Sequence, residues 1–90
     1  MLLNKYLVEF LGSIFFVYIV LATGNPLAIG AALALVVLLT KNISGGYINP
    51  MITITMAAAG QITNVELLPY CIAQILGGLV ALELYKRIRL

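Results

Sequence analysis

The segment Ser44-Gly45-Gly46-Tyr47-Ile48-Asn49-Pro50-Met51 constrains the fold of this chain more than any other part of it. It sets a polar, helix-breaking stretch among segments that suit lipid: two hydrophobic spans precede it and one follows. After Pro50 comes an apolar run, Met51 to Ala59, too brief to cross the roughly 30 Å of a bilayer's hydrocarbon. In that medium, irregular backbone persists only where protein buries it or where it lines a wet cavity. The segment is therefore expected where something crosses the membrane.

Composition supports the lipid setting. The 90 residues are 63% hydrophobic and 9% charged, whereas a soluble surface carries several times as many charges. The net charge of +2 comes without a basic cluster, so no nucleic-acid partner is expected. With no His and one Cys, the sequence offers neither a zinc site nor an intramolecular disulfide. No cofactor, metal or catalytic residue is expected, and the chain does not read as an enzyme. Cys71 reads as a small apolar packing residue. Lys5 ahead of the apolar run Phe10–Ala22 imitates a signal peptide, but Glu9 in the approach favours a retained helix.

The whole of 1–90 reads as a single all-α integral membrane unit. The first span covers 6–23 and stops at Gly24-Asn25-Pro26, a strong turn signal. The second covers 27–43, and the last covers 65–85 before Lys86-Arg87-Ile88-Arg89. Between them, Asn49 is a suitable N-cap and Pro50 a suitable first residue for a helix over 50–60, with Gly60 as its stop. Such a helix rises about 16 Å, near half the hydrocarbon thickness. The economical reading is three transmembrane helices plus one re-entrant half-helix, with Asn49 near the midplane. An ordinary interhelical loop is the alternative, and it leaves a half-bilayer apolar helix unexplained. Three crossings put Lys5 and Lys41 on one side and Lys86, Arg87 and Arg89 on the other. That bias is weak, and insertion in both orientations is expected.

A half-helix N-terminus brings a positive dipole end and free N–H groups to the membrane centre. Asn49 adds side-chain donors there, while Gly45, Gly46, Tyr47 and Ile48 offer backbone carbonyls in a row. Donors at the centre and acceptors leading to them suit a neutral hydrogen-bonding solute such as water, and the dipole opposes cations and protons. The sequence contains one such hairpin, which builds half a path. The expected partner is another molecule of the same chain, inserted upside down. Glu9, an ionisable group in an apolar span, marks a functional site by default. It reads as an acceptor for loop N–H groups, with proton coupling as its alternative role, and Gln74 of the last span reads as a second support of the same loop. Glu83 pairs with Arg87 four residues on. Gly12, Gly77 and Gly78 read as close-packing points between helices.

These residues closely resemble the aquaporin, or major intrinsic protein, family, and in particular one of its two halves. Ser44 to Thr53 resembles that family's loop signature, SGxHxNPAVT; Glu9 with Gly12 resembles the ExxG of its first helix, and Ala73-Gln74 with Gly77 the AQxxG of its third. Pro26-Leu27-Ala28-Ile29-Gly30 looks like the start of the matching helix in the second half. The resemblance runs from Val8 to Tyr85. It implies a passive channel for water or small neutral solutes, a cell-membrane location, an antiparallel homodimer as one pore, and an octamer of four such pores.

The departures bear on selectivity. Met51 stands where the motif has Ala, and Tyr47 where His is usual. By the resemblance, the filter positions fall on Ile29, Val37, Gly46 and Ile52, with Ile52 where an Arg is expected. A homodimer then carries an apolar ring near each end with no Arg or His, which removes hydrogen-bond donors and one electrostatic barrier; water is still the expected solute, and glycerol-sized and gas-like solutes are open. Two further readings stand beside the channel: a dual-topology, proton-coupled transporter using Glu9, and a non-conducting half that joins another channel.

Overall fold

The computed structural model describes residues 2–89. Among them the chain folds into four α-helices: α1 (Leu2–Thr23), α2 (Pro26–Thr40), α3 (Pro50–Ala58) and α4 (Asn64–Arg87). The molecule is 38 Å along its longest axis. α1 and α4 rise about 33 and 36 Å at 1.5 Å per residue. Both contain stretches long and apolar enough to cross a membrane, Asn4–Thr23 and Asn64–Arg87. α2 is more apolar than either but has 15 residues, a rise of about 22 Å.

Each helix end has a local cause. Gly24, at φ +55°, closes α1 by donating its N–H to the Val20 carbonyl at 3.0 Å. Asn25 then caps α2, its Oδ1 accepting from the N–H groups of Leu27 and Ala28 at 2.9 and 3.1 Å, with Pro26 as the first helical residue. Gly60, at φ +80°, ends α3 in a Schellman arrangement: its N–H donates to Ala57 O, and that of Gln61 to Met56 O. Thr63 opens α4 with a capping box against Glu66.

Several helix bounds differ from the sequence expectation, α4 by running to Arg87 rather than Tyr85. α1 begins at Leu2 rather than Tyr6, because Leu2 to Lys5 suit a helix and nothing breaks it. α2 stops at Thr40 rather than Ile43, since Ile43 and Ser44 both donate to the Thr40 carbonyl and the chain leaves in turns. α3 ends at Ala58, two residues before Gly60, because the glycine sits beyond the cap rather than inside the helix.

α1 and α4 run parallel and form the main contact of the molecule. Lys5 pairs with Glu66 at 2.6 Å near their N-terminal ends. Glu9 meets Gln74 further along, and the Tyr18 and Tyr85 rings meet edge to face near the far end. Between these, Gly77 lies against the Phe10 carbonyl and Ser13, so close that an added Cβ would stand 2.6 Å from that carbonyl oxygen. Gly78 makes only an ordinary contact, 3.8 Å to Val17. Exposed Glu83 pairs with Lys86 and Arg87 within its own helix.

Burial is inverted relative to a water-soluble domain. Glu9, Ser13, Ser44, Thr53 and Gln74 are buried, whereas Leu27, Leu38, Leu68 and Leu79 lie exposed. In water this arrangement would be unfavourable. In lipid, apolar side chains turn outward at no cost and polar groups must find partners inside.

Candidate functional site

The buried polar residues converge on one carboxylate. Glu9 is fully buried on α1. Its Oε1 accepts from the Ile48 N–H at 2.8 Å and from Gln74 Nε2 at 2.7 Å. Its Oε2 accepts from Ser44 Oγ at 2.6 Å and from the Tyr47 N–H at 3.2 Å. Four donors, with no cation among the described residues, satisfy the carboxylate and draw the loop onto the side of α1. Tyr70 Oη adds a fifth tie by donating to the Ser44 carbonyl at 2.6 Å, under the tilted ring of Tyr47.

The loop geometry follows from this anchoring. Gly45 and Gly46 have φ of +98° and +65°. A Cβ on Gly45 would strike the Tyr47 ring at 2.8 Å, and one on Gly46 would press between Thr40 and the α2 backbone. Ile48 also sits in the left-handed region, at φ +62°, where a β-branched residue is strained. Both sides of its peptide are held: the N–H by Glu9 and the carbonyl by Ser13 Oγ at 3.3 Å. Its side chain is buried against Gly12. Ser13 lies at the middle of α1, so the chain reaches that level at Ile48 before turning back along α3.

Asn49 caps α3. Its Oδ1 accepts from the Met51 N–H at 2.8 Å, and Pro50 is the first helical residue. Among the described residues, neither Asn49 Nδ2 nor the Ile52 N–H has a protein acceptor. Both residues line a cleft of about 380 Å³ with Phe16, Leu33, Val37 and Met51. Gly46, Tyr47 and Ile48 form the rest of its wall. Two other grooves, one along α1 and α2 and one along α1 and α4, have almost wholly apolar linings.

The sequence-derived positions distribute unevenly over this site. Asn49, Met51, Val37, Gly46, Tyr47, Ile48 and Ile52 meet at the cleft; Glu9 and Gln74 lie behind it. Ile29 is not among the lining residues and lies two helical turns from Val37, about 12 Å along α2. Gly45 packs beneath Tyr47 instead of lining the wall. The Ile48 carbonyl is engaged by Ser13, whereas those of Gly45, Gly46 and Tyr47 accept no hydrogen bond among the described residues. Among the described residues Gln74 makes no hydrogen bond to the loop: it joins Glu9 to Thr53 of α3, whose hydroxyl is 2.9 Å from Gln74 Oε1. Phe16 and Leu33 carry no motif, and Thr53 has only its place at the end of the loop signature. Only their period from Ser13, Val37 and Asn49 hints at a shared face.

Comparison with known proteins identifies the family. The chain matches the major intrinsic protein family over residues 1–89. The Glycerol uptake facilitator protein-like 6 of Lactiplantibacillus plantarum is 39% identical over 88 residues, covering 88% of this chain and 41% of that protein. Aquaporin-8 of Notomys alexis is 37% identical over 90 residues, covering 88% of this chain and 34% of its own length. An Aquaporin Z of Photorhabdus laumondii is 40% identical over 58 residues, covering 64% and 25%. No solved structure matches significantly. The chain therefore belongs to the major intrinsic protein family, whose members are membrane channels and not enzymes. It spans 41% and 34% of the length of the first two relatives.

Proposed function

We propose that the chain forms one half of a passive transmembrane channel for water and small neutral solutes, glycerol-sized ones included. In this reading α1, α2 and α4 cross the bilayer. The Ser44–Ile48 loop and α3 enter and leave on one side, as a re-entrant half-helix. The observation that carries the reading is Asn49: its Oδ1 is occupied in capping α3, while its Nδ2 remains available in a cleft whose other side chains are mostly apolar. Donors at the positive end of a helix suit the oxygen of water or a hydroxyl and oppose cations and protons. The carbonyls of Gly46 and Tyr47, which accept no hydrogen bond among the described residues, supply acceptors on the approach.

An open cleft needs a facing wall. A second copy, inverted in the same bilayer, brings a second Asn49 to the first at the midplane, and the antiparallel homodimer encloses one pore. Four such pores make the octamer. The apolar surround of Ile52 and Val37 favours small neutral solutes over ions. The full set of donors on buried Glu9 weighs against its use as a proton carrier.

Liposomes containing the purified chain should shrink faster than empty ones after an osmotic jump. Asn49→Asp retains the capping oxygen but removes both Nδ2 donors, so it should fold and lose conduction or proton exclusion. Wild-type vesicles that shrink no faster than empty ones, with insertion in both orientations demonstrated, sink the reading. Native mass in mild detergent should give an even number of identical chains.

A further inference from the structure

Thr53, fully buried on α3, carries a hydroxyl with two close acceptors and a single proton. Its Oγ1 is 3.0 Å from the Asn49 carbonyl and 2.9 Å from Gln74 Oε1. Neither of those oxygens can donate in return. The Asn49 carbonyl also accepts the Thr53 N–H at 3.0 Å, whereas Gln74 Oε1 has no other donor among the described residues. The orientation of the Gln74 amide is set from behind: Glu9 Oε1 accepts from Nε2 at 2.7 Å, and a flipped amide would put oxygen against a carboxylate. Glu9 thus fixes Gln74, and Gln74 draws the Thr53 hydroxyl away from a pure bond to Asn49. The carbonyl at the end of this chain belongs to the residue whose Nδ2 stands free in the cleft.

We propose that Thr53 is the positioning residue for the Asn49 amide. By sharing one proton between the Asn49 carbonyl and Gln74, it sets the tilt of the Asn49 peptide and so the aim of Nδ2 into the cleft. The inference rests on the channel reading for its consequence, since a misdirected donor weakens the barrier to protons more than the passage of water. Thr55 provides an internal control. It makes the same back-bond, to the Met51 carbonyl at 3.0 Å, but is exposed and has no second acceptor.

The test compares Thr53→Val, Thr53→Ser and Thr55→Val in the full chain, each checked for folding by its thermal transition in detergent. In liposomes, Thr53→Val should raise the ratio of proton to water permeability about fivefold, the population change carried by one lost hydrogen bond. Thr53→Ser and Thr55→Val should keep the wild-type ratio. The Asn49 side-chain amide resonances, identified by their loss in Asn49→Asp, should move in Thr53→Val and stay in place in the other two. If Thr53→Val does not fold, the same comparison is made on Gln74→Met, which removes the second acceptor and should move the same resonances. A folded Thr53→Val with unmoved resonances and an unchanged permeability ratio overturns the proposal. Moved resonances in a protein whose wild type conducts nothing support the positioning role and overturn the channel reading instead.

Discussion

Gly12 of α1 and Ile48 of the loop share one space: a Cβ on Gly12 would stand 2.8 Å from Ile48 Cδ1 and 3.1 Å from Val36 Cγ1. The glycine lets the strained loop residue lie on the α1 backbone with α2 closed behind it. Gly12→Leu should therefore destabilise the protein by about 1–3 kcal/mol, the range for an overfilled site. Ile48→Ala should recover part of that loss in the double variant, as contacting pairs do. Ile48→Gly should be more stable than Ile48→Ala by about 1 kcal/mol, because glycine accepts the left-handed backbone. Unfolding by denaturant titration in detergent micelles measures all four.

Glu9→Gln exchanges an oxygen that accepts for an amide that donates. At least one of the four donors now facing Glu9 then meets another donor. The expected cost is about 1–3 kcal/mol for each buried group left unpaired. Amide exchange at Tyr47 and Ile48 should quicken selectively, while the α4 amides beyond Gly78 remain protected. Uniformly faster exchange would mean that Glu9 supports the whole bundle and not the loop in particular.

The adjacent glycines of α4 should respond differently. Gly77→Ala drives a Cβ to 2.6 Å from the Phe10 carbonyl oxygen and 2.8 Å from Ser13 Cβ, so the helices must separate. A loss of about 2 kcal/mol is expected. Gly78→Ala meets Val17 at 3.8 Å and should stay within about 0.5 kcal/mol of wild type. Equal effects would contradict the α1–α4 packing.

Glu66 has two roles that substitutions can separate. It pairs with Lys5 at 2.6 Å and closes the Thr63 capping box. Glu66→Gln keeps the box and removes the charge, and should cost less than about 1 kcal/mol, with the loss shrinking in high salt. Glu66→Ala removes both and should cost about 1 kcal/mol more. A thermal melt at two salt concentrations distinguishes the contributions.

The break in the chain and the cap that restarts it were legible in the sequence. Two glycines, then Asn49-Pro50, have meanings tied to backbone geometry and not to context. Glu9 stood out because a carboxylate within an apolar run must find partners. The end of α2 was not legible, since Leu38 to Ile43 suit lipid whether helical or not. Nor was the backbone of Ile48: the residue type argues against a positive φ, and only distant Glu9, Ser13 and Gly12 impose it. Thr53 closed the loop signature, but its tie to α4 was not legible, since Gln74 lies 21 residues further on. Lys5 and Glu66 lie 61 positions apart, and their pairing follows only from the parallel course of α1 and α4.

The convergence on Glu9 has a consequence for biosynthesis. Its partners lie 35 to 65 residues later in the chain, so the carboxylate leaves the ribosome well before any of them. A nascent chain that has released α1 and α2 alone holds an acidic group with no internal donor. The Ser44 to Ile48 segment can seat only partly until Gln74 has emerged. The carboxylate of α1 is thus completed only by a residue of α4, the latest of its partners in the chain.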